Sequence, residues 1–176
     1  MARIKRLGNG GASRRMSRTV RGGPQPLSEP GSPRPSLHPG DIQAEERRFG
    51  ELSAFLADLV KELNELSEEG GAVLVEGKRD VEAMRGLGYA GPIFTVSILT
   101  STEAARERLR TRVKTMVIMT DLDSEGRRLA SRYVRFLARE GIEPSLGQRR
   151  RLSRASRGVF LHIENLRRFS VGGRFK

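Results

Sequence analysis

The chain has 176 residues, no cysteine, few aromatic residues and a formal net charge of +12. That length holds one domain of ordinary size with its own core, and the missing cysteine rules out a thiolate zinc site, a thiol nucleophile and a disulfide framework, leaving carboxylates and hydroxyls for any catalysis. No apolar stretch nears the roughly eighteen residues that span a bilayer, and the N-terminus lacks the apolar core of a secretory signal, so the chain reads as soluble and cytoplasmic.

Residues 1–40 carry eight Lys and Arg against one acid, mixed with Gly, Ser and Pro. They offer too little apolar area to offset the entropy of ordering, so a disordered basic tail is expected, one that orders against RNA. From 41 to 69 the residues Phe49, Leu52, Leu56, Leu59, Leu63 and Leu66 recur at steps of three and four, which predicts an amphipathic helix ended by Gly70-Gly71. That stripe is read as a packing surface. Strands at 72–76, 93–98 and 114–120 then alternate with helices at 80–86, 102–110 and 125–140, an order that predicts an α/β fold with a parallel sheet and crossover helices. The segment 145–158 holds Arg149, Arg150, Arg151, Arg154 and Arg157 among serines and glycines and reads as a basic loop that contacts RNA. Val159–Ile163 predicts a fourth strand, 164–169 a last helical turn, and 169–176 a C-terminal tail.

The ends of the chain carry the charge: residues 141–176 hold nine Lys and Arg against two acids, while 41–140 hold sixteen against eighteen. Such cationic arms attract polyanions by releasing condensed counterions. Nucleic acid is the expected partner, and a membrane surface ranks last because neither arm has an apolar helical face. RNA ranks ahead of DNA, and few aromatic side chains favour readout of charge and shape over stacking of bases.

Two of the predicted strands end in carboxylate. Glu76 follows Ala72-Val73-Leu74-Val75, and Asp121-Leu122-Asp123 follows Val117-Ile118-Met119-Thr120. In extended chain, residues i and i+2 point to one side, roughly 6–7 Å apart, so Asp121 and Asp123 can face one pocket while Leu122 turns away. If the strands are parallel neighbours, Glu76 reaches the same sheet edge, where open α/β sheets hold ligands. Three acids that converge repel one another unless a hard cation such as Mg²⁺ offsets them. The competing reading is that Asp121 and Asp123 cap the next helix and Glu76 is a solvated loop residue. Beside the acids, Lys78 and Arg127 are placed to meet phosphate, as are Arg149, Arg150 and Arg151 of the basic loop. Gly77 is read as a tight-turn residue, Asp80 as the cap of a helix from Val81, Gly126 as a point of close approach between helix and strand, and His162 as packed or hydrogen-bonded.

Val75-Glu76-Gly77-Lys78-Arg79-Asp80, followed by Thr120-Asp121-Leu122-Asp123-Ser124-Glu125-Gly126, resembles the Toprim domain. The resemblance covers about 70–140, or 70–168 with the fourth strand. It implies a compact sheet flanked by helices in which Glu76, Asp121 and Asp123 match the acids that hold one or two Mg²⁺ (or Mn²⁺) and take part in phosphoryl transfer. Topoisomerases of the family need a tyrosine nucleophile from another domain, whereas Tyr89 and Tyr133 read as packing residues; primases need a cysteine-bearing zinc module. What remains is similar to the small stand-alone Toprim nucleases that mature the precursor of 5S ribosomal RNA and to short archaeal Toprim proteins. The expected function is therefore Mg²⁺-dependent cleavage of structured RNA, with the ribosome a candidate partner. The alternatives are a binding-only factor or a DNA-acting protein.

Overall fold

The structure, a computed structural model, describes residues 39–99 and 102–170; of the tails expected at 1–40 and 169–176, residues 1–38 and 171–176 lie outside the described residues, while 39–40 already belong to the first helix and Phe169 to the last helical turn. The first element is a thirty-residue helix, α1 (Pro39–Glu68). Proline suits such a start because its missing N–H has no partner in the first turn. Leu52, Leu56, Leu59 and Leu63 of α1 are buried, so the leucine stripe is a packing face, as expected.

The sheet consists of β1 (Gly71–Val75), β2 (Ile93–Thr95), β3 (Thr115–Ile118) and β4 (Glu143–Ser145), all parallel, in the order β2-β1-β3-β4. Between them lie α2 (Lys78–Gly86), a short α3 (Val96–Leu99), α4 (Glu103–Arg112) and α5 (Ser124–Arg139), followed by α6 (Gly147–Ser156) and a 3-10 helix (Ile163–Phe169). Strand alternation divides the core in two. Val73, Val75, Val117 and Met119 pack with α1, α2, Leu152 of α6 and Ile163 and Leu166 of the 3-10 helix. Ala72, Leu74, Met116 and Ile118 face the other way, against Leu109 of α4 and Ala130, Tyr133 and Leu137 of α5. Burial on both faces is why β1 and β3 read as continuous apolar runs.

Three sequence expectations are corrected. The strand expected at 93–98 stops at Thr95 and turns into α3. The basic loop at 145–158 is mostly helix α6, whose inward positions are Arg149, Leu152 and Ser156. Only one of the three is a large apolar residue, so the helical period is invisible to a hydrophobicity pattern. The fourth strand is Glu143–Ser145, not Val159–Ile163: Met116 pairs with Pro144, and a proline is tolerated there because β4 is an edge strand. Residues 159–163 instead form a strap that buries Phe160 and Ile163 while Val159, Leu161 and His162 stay exposed.

The strand order fixes where a ligand would sit. From β1 the chain passes through α2 to β2 on one side, then returns through α4 to β3 on the other side of β1. The reversal falls between β1 and β3, and a crevice opens outside the carboxyl ends of strands at such a switch point.

Candidate active site at the carboxyl edge of the sheet

Glu76 and Asp121 meet at that crevice. Glu76 follows β1, and its Oε1 accepts a hydrogen bond from the Asp121 backbone N–H at 2.9 Å. Both line one cavity of about 450 Å³, together with Lys78, Asp80, His162 and Glu164. Asp121 is gripped from the strap: its Oδ1 accepts from Ile163 N at 2.8 Å and its Oδ2 lies 2.7 Å from His162 Nδ1. Leu122 turns inward to 5 % exposure, and its N–H donates to Leu161 O at 2.6 Å. Alternation along Asp121-Leu122-Asp123 is thus realised: Leu122 is buried and both acids stay half-buried.

The two aspartates nevertheless serve different partners. Asp123 is the N-cap of α5, where its Oδ1 accepts from Gly126 N at 2.7 Å. This is the capping reading, realised for Asp123 and not for Asp121. Gly126 is required here: a Cβ would sit 2.0 Å from the Asp121 carbonyl oxygen, so helix and strand approach closely, as expected. Asp80 is corrected from helix cap to third residue of α2, which begins at Lys78; its carboxylate reaches back to Gly77 N at 2.9 Å. Gly77 itself has φ −151°, extended backbone open to any residue, and a Cβ there would meet nothing within 4 Å, so no tight turn demands it.

The acids feel one another. Burial pushes the Glu76 carboxyl above the ordinary glutamate range; the Asp121 N–H opposes this, and the charges of Asp121, Asp80 and Asp123 add to the rise. Asp80 is raised by burial, against the Gly77 N–H, with Asp121 and Glu164 adding to the rise. His162 is raised by its hydrogen bond to Asp121, which favours the imidazolium. A cluster whose members raise one another's proton affinity is the donor chemistry that a hard divalent cation offsets, and carboxylate oxygens are the right kind of ligand. In donor type and crowding, then, the residues fit Mg²⁺. In placement they fit less well: among the described residues, no three carboxylates or imidazoles form a group that could hold an ion.

The basic residues of the expectation disperse. Lys78 is exposed on the cavity wall. Arg127 is exposed at the first turns of α5, with a long contact of 3.4 Å to the Leu122 carbonyl. Arg149 is turned inward at 7 % exposure: its Nε donates to Thr120 O at 3.0 Å and Thr120 Oγ1 at 3.1 Å, and its Nη2 donates to Asp121 O. It lies beneath the acids as a fixed counter-charge instead of on a phosphate-facing surface. Arg150 is exposed, and Arg151 pairs with Glu62 and lies over the Phe55 ring of α1, so neither lines the acid cavity. Tyr89 and Tyr133 are buried packing residues, as expected. Sequence reasoning undervalued His162, which is hydrogen-bonded as anticipated but exposed and inside the cavity lining. No spacing pattern links it to Asp121, 41 residues earlier.

Comparison with known proteins agrees with this architecture. The Toprim domain profile matches residues 71–155. A UPF0292 protein of Methanosarcina acetivorans is 30 % identical over 126 residues, covering 72 % of this chain and 84 % of that protein. This chain belongs to the UPF0292 family of Toprim proteins. The UPF0292 protein of Methanocaldococcus jannaschii is 35 % identical over 88 residues, covering 50 % of this chain and 68 % of its own length. A solved Aquifex aeolicus protein shares the fold at a TM-score of 0.51 and 25 % identity, over 61 % of this chain and 94 % of that one. Toprim membership carries a nucleic-acid-related, metal-binding function in outline. No helix among the described residues is long and apolar enough to cross a membrane.

Proposed function

We propose that this Toprim protein is a Mg²⁺-dependent nuclease that cleaves phosphodiester bonds in structured RNA, ribosomal precursors among them. The observation that carries the reading is the Glu76–Asp121 pair at the switch point, where two parallel strands deliver carboxylates to one cavity. Glu76 and Asp121 would hold the ion, while Asp123, the cap of α5, would act from outside the cavity lining. When bound, Mg²⁺ polarises the scissile phosphate and lowers the pKa of an attacking water. Lys78, on the cavity wall, and Arg127, at the mouth of α5, position the phosphates on either side without reading sequence. Arg149 holds the Thr120 and Asp121 carbonyls from below and so orients the Asp121 turn.

The test is to incubate the purified chain with a 5S ribosomal RNA precursor and Mg²⁺. Discrete cuts are expected, reduced about 100-fold or more by Glu76→Gln or Asp121→Asn; equal cutting by either variant sinks the nuclease reading. A second reading, a factor that binds RNA without turnover, is favoured by one specific observation: both oxygens of Asp121 and one of Asp123 already have partners within the chain. It predicts RNA binding unchanged by the same variants and no cuts in Mg²⁺ or Mn²⁺.

A further inference from the structure

Helix α5 has two faces. Gly126, Ala130, Tyr133 and Leu137 are buried against the sheet. Ser124, Arg127, Arg128, Ser131, Arg132 and Arg135 are all exposed and recur at i, i+3, i+4, i+7, i+8 and i+11. That spacing is one continuous helical stripe, about 16 Å long at 1.5 Å per residue. The same six residues line a shallow hollow in the surface.

The charge on this stripe is left largely uncompensated. Arg128 pairs with Glu125 at 2.9 Å, but among the described residues Arg127, Arg132 and Arg135 have no carboxylate partner. The adjacent helix ties up two of its four arginines, while its exposed Arg108 and Arg112 have no carboxylate partner among the described residues. On α4, Arg106 meets Glu103 at 2.6 Å and Glu140 at 3.7 Å, while Arg110 meets Glu103 at 2.6 Å, Glu107 at 2.7 Å and Glu140. On α5 three of the four arginines of the stripe stay unpaired and lie in one continuous row over a single hollow, which presents a cationic ridge. The ridge starts one residue after Asp123, so a polyanion lying along it is led to the carboxyl edge of β1 and β3.

We propose that the outward stripe of α5 is a docking ridge for the phosphate backbone of double-helical RNA. The proposal deepens the functional reading above and rests on its nucleic-acid part alone, not on cleavage. Guanidinium groups suit phosphate because their planar donors match two oxygens at once. No aromatic side chain lines the hollow, which disfavours a single strand that must stack its bases. RNA is favoured over DNA by the two interleaved serines. Ser131 Oγ donates to the Arg127 carbonyl at 3.1 Å and keeps its oxygen free to accept, and Ser124 is exposed. Phosphate can only accept hydrogen bonds, whereas a ribose 2′-hydroxyl can also donate to a serine oxygen, a contact DNA lacks.

The test compares the full native chain with R132Q/R135Q, two exposed changes remote from the acids, and with R108Q/R112Q, the same loss of charge on α4. Binding to a fully paired RNA stem and to a DNA duplex of the same sequence is measured in EDTA over a range of salt, with circular dichroism to confirm folding. R132Q/R135Q is expected to weaken RNA binding about tenfold or more and to lower the slope of log affinity against log salt by about 2. R108Q/R112Q should change affinity less than about threefold, and the RNA stem should bind more tightly than DNA. Unchanged affinity and slope in R132Q/R135Q, an equal loss in R108Q/R112Q, equal affinity for DNA, or no RNA binding by the native chain would each overturn the proposal. Failure of the nuclease reading shows separately, as an absence of cuts in Mg²⁺ while the ridge variant still loses affinity.

Discussion

Glu76 shows what the site costs the fold. Its carboxyl is half-buried, close to three other acids, and its proton affinity is raised by burial first and by those charges after. A folded-state pKa above the unfolded value means that the stability contributed by this group is fully present below the unfolded pKa and is lost as pH rises through the folded pKa. At neutral pH the ionised Glu76 therefore opposes folding. Glu76→Gln keeps an oxygen to accept from Asp121 N and removes the charge, so its melting temperature should exceed that of the native chain at pH 7–8, with the gap closing near pH 4. Added Mg²⁺ should narrow the same gap by raising the native melting temperature alone. A variant that melts lower at neutral pH, or a native chain indifferent to Mg²⁺, would show that the acid cluster is neither strained nor relieved by a cation. His162 belongs to the same electrostatic unit, since the Asp121 carboxylate favours its charged form.

At the scale of elements, α6 and the strap after it complete a site that the two strands only begin. Arg149 satisfies three oxygens on Thr120 and Asp121, and Thr120 Oγ1 in turn donates to Gly126 O at 2.8 Å, so helix α6, the turn after β3 and the start of α5 are tied together. Arg149→Ala leaves those carbonyls without a buried donor, at a cost of about 1–3 kcal/mol in chemical denaturation. It should also lower cleavage while RNA affinity stays within about twofold, because Arg149 acts on the turn and not on phosphate. A loss of affinity matching that of R132Q/R135Q would return Arg149 to the phosphate-binding set. The sequence disclosed Glu76 and Asp121 because each follows a strand whose apolar run is unmistakable, and the closeness of Gly126 because a glycine in the first turn of a helix leaves room for a neighbouring backbone. It concealed α6, whose inward face is an arginine, one leucine and a serine, and it misassigned the strap, whose five residues are apolar enough for a strand yet anchor Phe160 and Ile163 in the core instead.

Across the whole molecule, stability is centred on β1 and β3. Both strands are flanked by partners and covered on both faces, whereas β2 and β4 are three-residue edges of intermediate or greater exposure. Amide hydrogen exchange followed by mass spectrometry should find the slowest amides in 72–75 and 116–118, and faster exchange at 93–95 and 143–145. Slow exchange at the edges and fast exchange in the centre would contradict the sheet order on which the switch point depends. The charge of the molecule follows the same plan. Residues 41–140 are close to neutral in sum, yet the described part of that segment separates its charge in space, acids at the carboxyl edge and bare arginines along α5.

By itself the sequence determined the parallel α/β architecture, the helical packing stripe of α1 and the residues that end the two central strands, because each rests on local periodicity and on neighbours along the chain. Only the tertiary structure decided which oxygens those acids keep free, that Arg149 points inward, that His162 joins Asp121, and that the fourth strand is Glu143–Ser145. These outcomes depend on contacts between residues tens of positions apart, where hydrogen-bond satisfaction and core volume choose among options that the local pattern leaves equal.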